Sequence, residues 1–152
     1  MATLRESVPT KSALDKSMNV NVRMLGAKEA SANIRALSPA ARRAMLKALE
    51  KEAWRIIKTA QNGYVPVLSG DLVFSGHVIP HPGAFPTVEF GFGGKARRYA
   101  VIQHENEEFQ HPAGGQAKYL SVPVERAMPR VVNSTGEEIR KEFRKFDTRR
   151  FE

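Results

Sequence analysis

The segment Tyr99-Ala-Val-Ile-Gln-His-Glu105 decides how the rest of the chain is read. Its apolar residues alternate as in a strand, and it runs directly into a polar, acidic loop. As a strand it places Tyr99, Val101 and Gln103 on one face and Ala100 and Ile102 on the other. Two further segments flank it: Pro66-Val-Leu-Ser-Gly-Asp-Leu72 upstream and Lys118-Tyr-Leu-Ser-Val-Pro-Val-Glu125 downstream.

Working back from that strand, Leu72 to Ile79 and Phe85 to Phe92 also alternate. The turn Pro80-His81-Pro82-Gly83 separates them, and Gly93-Gly94-Lys95 leads on to Arg98–Gln103 as the third strand of a meander. Nearer the N-terminus, Val20, Val22 and Met24 share one face of a short strand over 18–24, closed by Gly26. The expected sheet is small, mostly antiparallel and about four-stranded.

Two long helices are predicted to pack on it. Ser38-Pro39 reads as an N-cap followed by a first-turn proline, after a short helix from Ala27 to about Leu37. From 39 to about 61, Ala41, Met45, Leu46, Leu49, Ala53, Ile56, Ile57 and Ala60 form one apolar stripe, and Asn62-Gly63 closes the helix. The second helix covers about 119–145. There Leu120, Val124, Met128, Val131, Thr135, Ile139 and Phe143 recur every three or four residues. The stripe keeps its phase across Pro129, which predicts one kinked helix rather than two. The fold class is α+β in one domain over 18–146, with a polar arm at 1–17 and a basic tail at 147–152.

The 152 residues are 41% hydrophobic and 26% charged, an ordinary globular composition. No apolar run approaches the roughly 20 residues of a membrane helix, and the first residues lack an apolar signal core. There is no cysteine, which excludes disulfides and thiolate metal sites. The net charge of +8 points to an anionic partner.

Several groups of reactive residues are candidates for chemistry. His77 and His81 are four apart on a strand, without the helical geometry that brings such a pair onto one metal. His104 and Glu105, with Asp71, are a weak metal or nuclease candidate. Ser69, Asp71 and His104 form no recognisable nucleophile motif, because Ser-Gly-Asp is a common turn. Gly91-Phe-Gly-Gly94 reads as a hairpin turn, because a phosphate loop needs a following helix. No enzyme activity and no cofactor are expected.

The basic residues carry more. Arg43, Lys47, Lys51, Arg55 and Lys58 occupy one arc of the first long helix, with Trp54 at its edge. A solvated face is the plain reading. The alternatives are DNA phosphate or an acidic patch on a neighbouring copy. The chain itself offers such a patch in Glu105, Glu107 and Glu108. Head-to-tail contacts of that kind close into rings.

The order of these segments resembles the tail-completion and head–tail joining (neck) proteins of tailed bacteriophages, often termed minor tail or minor capsid proteins. The family's proline, small-Gly and leucine pattern corresponds to Pro66, Ser69, Gly70 and Leu72. Its Tyr-Ala…Glu element corresponds to Tyr99, Ala100 and Glu105, and its aromatic-Leu…Ala pattern to Tyr119, Leu120 and Ala127. The resemblance covers about 18–146. Val73-Phe74 stands where the family often has a basic residue, and the arm is longer than the pattern needs. The resemblance implies a virion structural protein in a homo-oligomeric ring, commonly of six or twelve subunits. Such a ring sits at the head–tail junction, after assembly in the host cytoplasm. It adjoins neck, connector or tail-terminator proteins, encircles the DNA channel and makes no membrane contact. On the residues alone, the alternatives are a nucleic-acid-binding protein using face 43–58 and, more weakly, a metal-dependent nuclease.

Overall fold

In the computed structural model the described residues are 32, 34–67 and 69–148, with only the backbone described for 146–148. The arm 1–17, the strand 18–24, most of the helix 27–37 and residues 149–152 lie outside them. Of that short helix, residues 34–36 are helical, and the Leu37 N–H donates to the Ile34 carbonyl at 3.1 Å.

Helix α1 spans Pro39–Gly63. Ser38 is extended and its Oγ accepts from the Ala41 N–H at 3.1 Å, while Pro39 fills the first helical position, where no N–H is needed. The predicted stripe faces inward: Ala41, Ala53, Ile56, Ile57 and Ala60 are buried. After a connector, α2 (Asp71–Phe74) is a single turn. Strands β1 (Gly76–His81) and β2 (Thr87–Phe92) then pair antiparallel, with Gly76 opposite Phe92 and His81 opposite Thr87. Helix α3 is Arg97–Glu105 and α4 is Ser121–Thr148. The hairpin and α4 both pack on α1. Helix α4 runs antiparallel to α1. Arg126 donates to the Tyr64 hydroxyl at 2.6 Å beyond one end of α1, and Ala40 and Glu142 line one cleft at the other end. The core joins Ile56, Ile57, Ala60, Val65, Leu72, Phe92, Ala100, Tyr119, Leu120 and Val124.

The class is therefore α+β, but among the described residues the sheet has two strands rather than about four. The largest correction concerns Arg98–Gln103, expected as a third strand and found within α3. A 3-10 turn at Gly94–Ala96, held by the Ala96 N–H to the Gly93 carbonyl at 3.1 Å, carries the chain off β2 before any pairing begins. Helical spacing then brings Ala100 and His104 together on the buried side, where Tyr119 covers them. Gly93-Gly94-Lys95 is thus no hairpin turn. The strand expected from Leu72 begins only at Gly76, because residues 71–74 coil into α2. The expected turn at Pro80 is displaced to residues 82–86. Pro80 stays in β1, opposite Val88, since a two-stranded sheet is all edge and tolerates the missing donor.

Helix α4 remains one helix across Pro129, as its stripe predicts. It also continues to Thr148, past the predicted end near 145. The i,i+3 pairs Glu138–Lys141 (2.6 Å) and Glu142–Lys145 (2.5 Å) support this last stretch.

Candidate assembly surface

The positions that carry the family resemblance meet at one end of the helix pair. Gly115 lies against Pro66, and a Cβ there would come within 2.4 Å of the proline Cα. The Gln116 N–H donates to the Tyr64 carbonyl at 2.8 Å, fastening the 106–120 loop to the end of α1. Gly70, at φ 85°, turns the connector into α2 in the left-handed region that favours glycine. The Ser69 hydroxyl donates to Asp71 at 2.8 Å. Tyr119 is fully buried; its hydroxyl donates to the Ala100 carbonyl at 2.8 Å, and its ring stands edge-on to Phe92 and His104. Burial pushes the Tyr119 phenol well above its ordinary value, with the charges of Glu105 and Tyr99 adding to the rise.

The Tyr-Ala…Glu element is thus read by helical, not strand, periodicity. Ala100 and His104 form the buried side of α3. Tyr99 and Gln103, also four apart, line a groove of 390 Å³ between α3, the 66–72 connector and the loop at 110–114. Around it stands exposed apolar surface. Phe74, which touches the Gly70 position, is 85% exposed, and Val67 and Ile102 are 44% and 52% exposed.

His104 is held on both ring nitrogens. Nδ1 lies 2.7 Å from the Glu105 carboxylate, and Nε2 lies 3.1 Å from the Ser121 hydroxyl and 3.4 Å from the Ser121 N–H. Glu105 also pairs with Lys118, whose N–H donates to the His104 carbonyl at 2.8 Å. The hydrogen bond from Lys118, then that from His104, hold the Glu105 carboxyl below its ordinary value. Sequence reasoning missed Ser121. Ser121, His104 and Glu105 have the spacing of a nucleophile–base–orienter set. However, His104 is only 4% exposed, and neither His104 nor Ser121 lines the groove. The imidazole here caps the first turn of α4.

The trio Ser69, Asp71 and His104 is not brought together: Ser69 and Asp71 line the groove, and His104 faces the core. No cluster of three or more metal-ligating side chains occurs among the described residues. His77 bonds to the Ser75 carbonyl at 3.1 Å and His81 lies 3.5 Å from Glu89. Four strand residues apart, these histidines stand about 13 Å from one another, too far to share a metal. The glycine-rich stretch does lead into a helix, contrary to the expectation from sequence. Even so, the Ala96 and Arg97 N–H groups are spent on Gly93 and Gly94, so they do not cradle a phosphate.

Arg43, Lys47, Lys51, Trp54, Arg55 and Lys58 are all exposed on α1. Yet the first three and Arg55 line a cleft of 650 Å³ whose other wall is Glu137, Glu138 and Glu142 of α4. Glu52, a residue the sequence reading passed over, sits between them at 2% exposure. It takes Arg55 at 2.6 Å and Arg130 at 2.8 Å. Burial pushes its carboxyl up, but the hydrogen bonds and charges of Arg130 and Arg55 together outweigh this and leave it lowered. The basic arc is therefore partly neutralised within the chain. Glu107 and Glu108 remain exposed in the loop after α3. No described helix is long and apolar enough to cross a membrane. Comparison with protein-family models, curated proteins and solved structures finds no match for this chain.

Proposed function

We propose that this chain is a structural subunit of the head–tail junction of a tailed phage, assembling as a homo-oligomeric ring that completes or attaches the tail. One observation carries the reading. The residues that resemble the neck-protein pattern, scattered between Pro66 and Leu120, converge on one end of the molecule, next to Phe74, the most exposed large apolar side chain among the described residues. An end built in that way is suited to a permanent neighbour. Ring neighbours, adjacent neck or tail-terminator proteins and the DNA passing through the channel are the partners this role supplies.

The nucleic-acid-binding alternative is weakened in part, because Glu52 takes Arg55 of the basic arc and Glu137, Glu138 and Glu142 stand across the cleft, the last two also pairing with Lys141 and Lys145. Native mass spectrometry and salt-dependent retention on DNA-cellulose separate the two. The ring reading expects a closed oligomer and weak, readily salt-eluted retention. A monomer that stays on DNA at high salt would overturn it.

A further inference from the structure

The groove at the motif end combines apolar walls with a few polar groups. Its walls are apolar, from Pro66, Leu72, Tyr99 and Pro112. Asp71 is the one carboxylate among its lining residues, and no lysine or arginine lines it. His111, also in the lining, buries its Nε2 with no hydrogen-bond partner among the described residues. The exposed carboxylates of Glu107 and Glu108 stand close by in sequence, just before Gln110 and His111. An occupant should bring a cation for Asp71, a polar group for His111 and an apolar or aromatic body for the walls.

The chain carries such a segment in Arg149-Arg150-Phe151. Within one molecule it cannot reach. Helix α4 has 28 residues and the groove lies at its N-terminal end. At 1.5 Å per residue, Thr148 stands about 42 Å away. Three extended residues span only about 10 Å.

We propose that the groove beside Asp71 receives Arg149-Arg150-Phe151 of a second copy of this chain. This rests on the ring reading and deepens it by naming the contact. One end of each subunit holds the groove and the other end delivers the segment. Such a contact is heterologous, and repeated about an axis it closes a ring. Charge complementarity fixes its direction, and burial of Phe151 among Tyr99, Leu72 and Pro112 supplies its apolar part.

The test has two arms. In the first, Asp71→Lys and the double variant Arg149→Glu/Arg150→Glu are each compared with the parent by native mass spectrometry, with circular dichroism as the check on folding. Each reversal should lower the ring fraction at least tenfold, and combining all three should restore it. In the second, a fluorescent peptide of residues 145–152 is titrated into the full chain. Binding should weaken at least tenfold with Asp71→Lys, and likewise with a peptide carrying both Arg→Glu changes. Peptide binding that depends on Asp71, with a monomeric parent chain, would uphold the groove contact and sink only the ring. Rings that form as well with the reversed charges, and a peptide that fails to bind, would overturn the groove contact and leave the ring standing. Asp71-dependent binding of a peptide of residues 1–24 in place of the 145–152 peptide would also overturn it.

Discussion

Gly115 shows how far a single residue sets the motif end. Its φ of 93° is a conformation that L side chains rarely adopt, and its missing side chain lets the loop lie on the Pro66 backbone. Neighbouring Gly114 has φ 100° but open space around it. Gly115→Ala is therefore expected to cost more than about 3 kcal/mol, and Gly114→Ala about 1–2 kcal/mol, in urea unfolding. Equal losses would mean the close approach to Pro66 does not matter. Tyr119 makes a second test. Tyr119→Phe keeps both ring contacts and loses only the hydroxyl's bond to the Ala100 carbonyl, which retains its place in the α3 ladder, and should cost about 1 kcal/mol in the same assay. Neither role was legible in advance. The sequence marks Tyr119-Leu120 as the start of a helix and Gly114-Gly115 as loop, but the surfaces they meet lie far away along the chain.

Among the elements, α1 was the most legible and α3 the least. Ser38-Pro39, the sustained stripe and Asn62-Gly63 give α1 a start, a face and a stop that agree with one another. Helix α3 has only nine residues, and Tyr99, Val101 and Ile102 favour strands locally. Tertiary packing of Ala100 and His104 under Tyr119 overrides that preference. Ile102 is half exposed, so Ile102→Ala should leave thermal stability within about 0.5 kcal/mol, since alanine also favours the helix. The same change should weaken self-association. A large loss of stability would place Ile102 in the subunit's own core instead. Between α1 and α4, Glu52 gives a pH dependence with a definite sign. Its carboxyl is lowered in the folded chain, so its stabilising contribution is complete above the ordinary value of 4.5. That contribution is lost as pH falls below 4.5 through the folded value. Glu52→Gln should thus flatten part of the stability loss as pH falls below 4.5, measured by urea unfolding.

At the scale of the whole molecule, composition pointed to an anionic partner, and the fold redistributes that charge. Much of the basic arc on α1 faces the glutamates of α4, so the +8 balance is not a single open basic face. Phe74, Val67 and Ile102 are among the exposed apolar side chains, and a groove with one carboxylate lies beside the first two. The sequence could place the motif residues in order along the chain. That they gather at one end depends on α3 being a helix, and no local pattern revealed that. The most direct measurement is native mass spectrometry of the purified full chain at micromolar concentration and moderate salt. One closed oligomer of six or twelve copies is expected, and a chain that remains monomeric across that concentration range would contradict the ring.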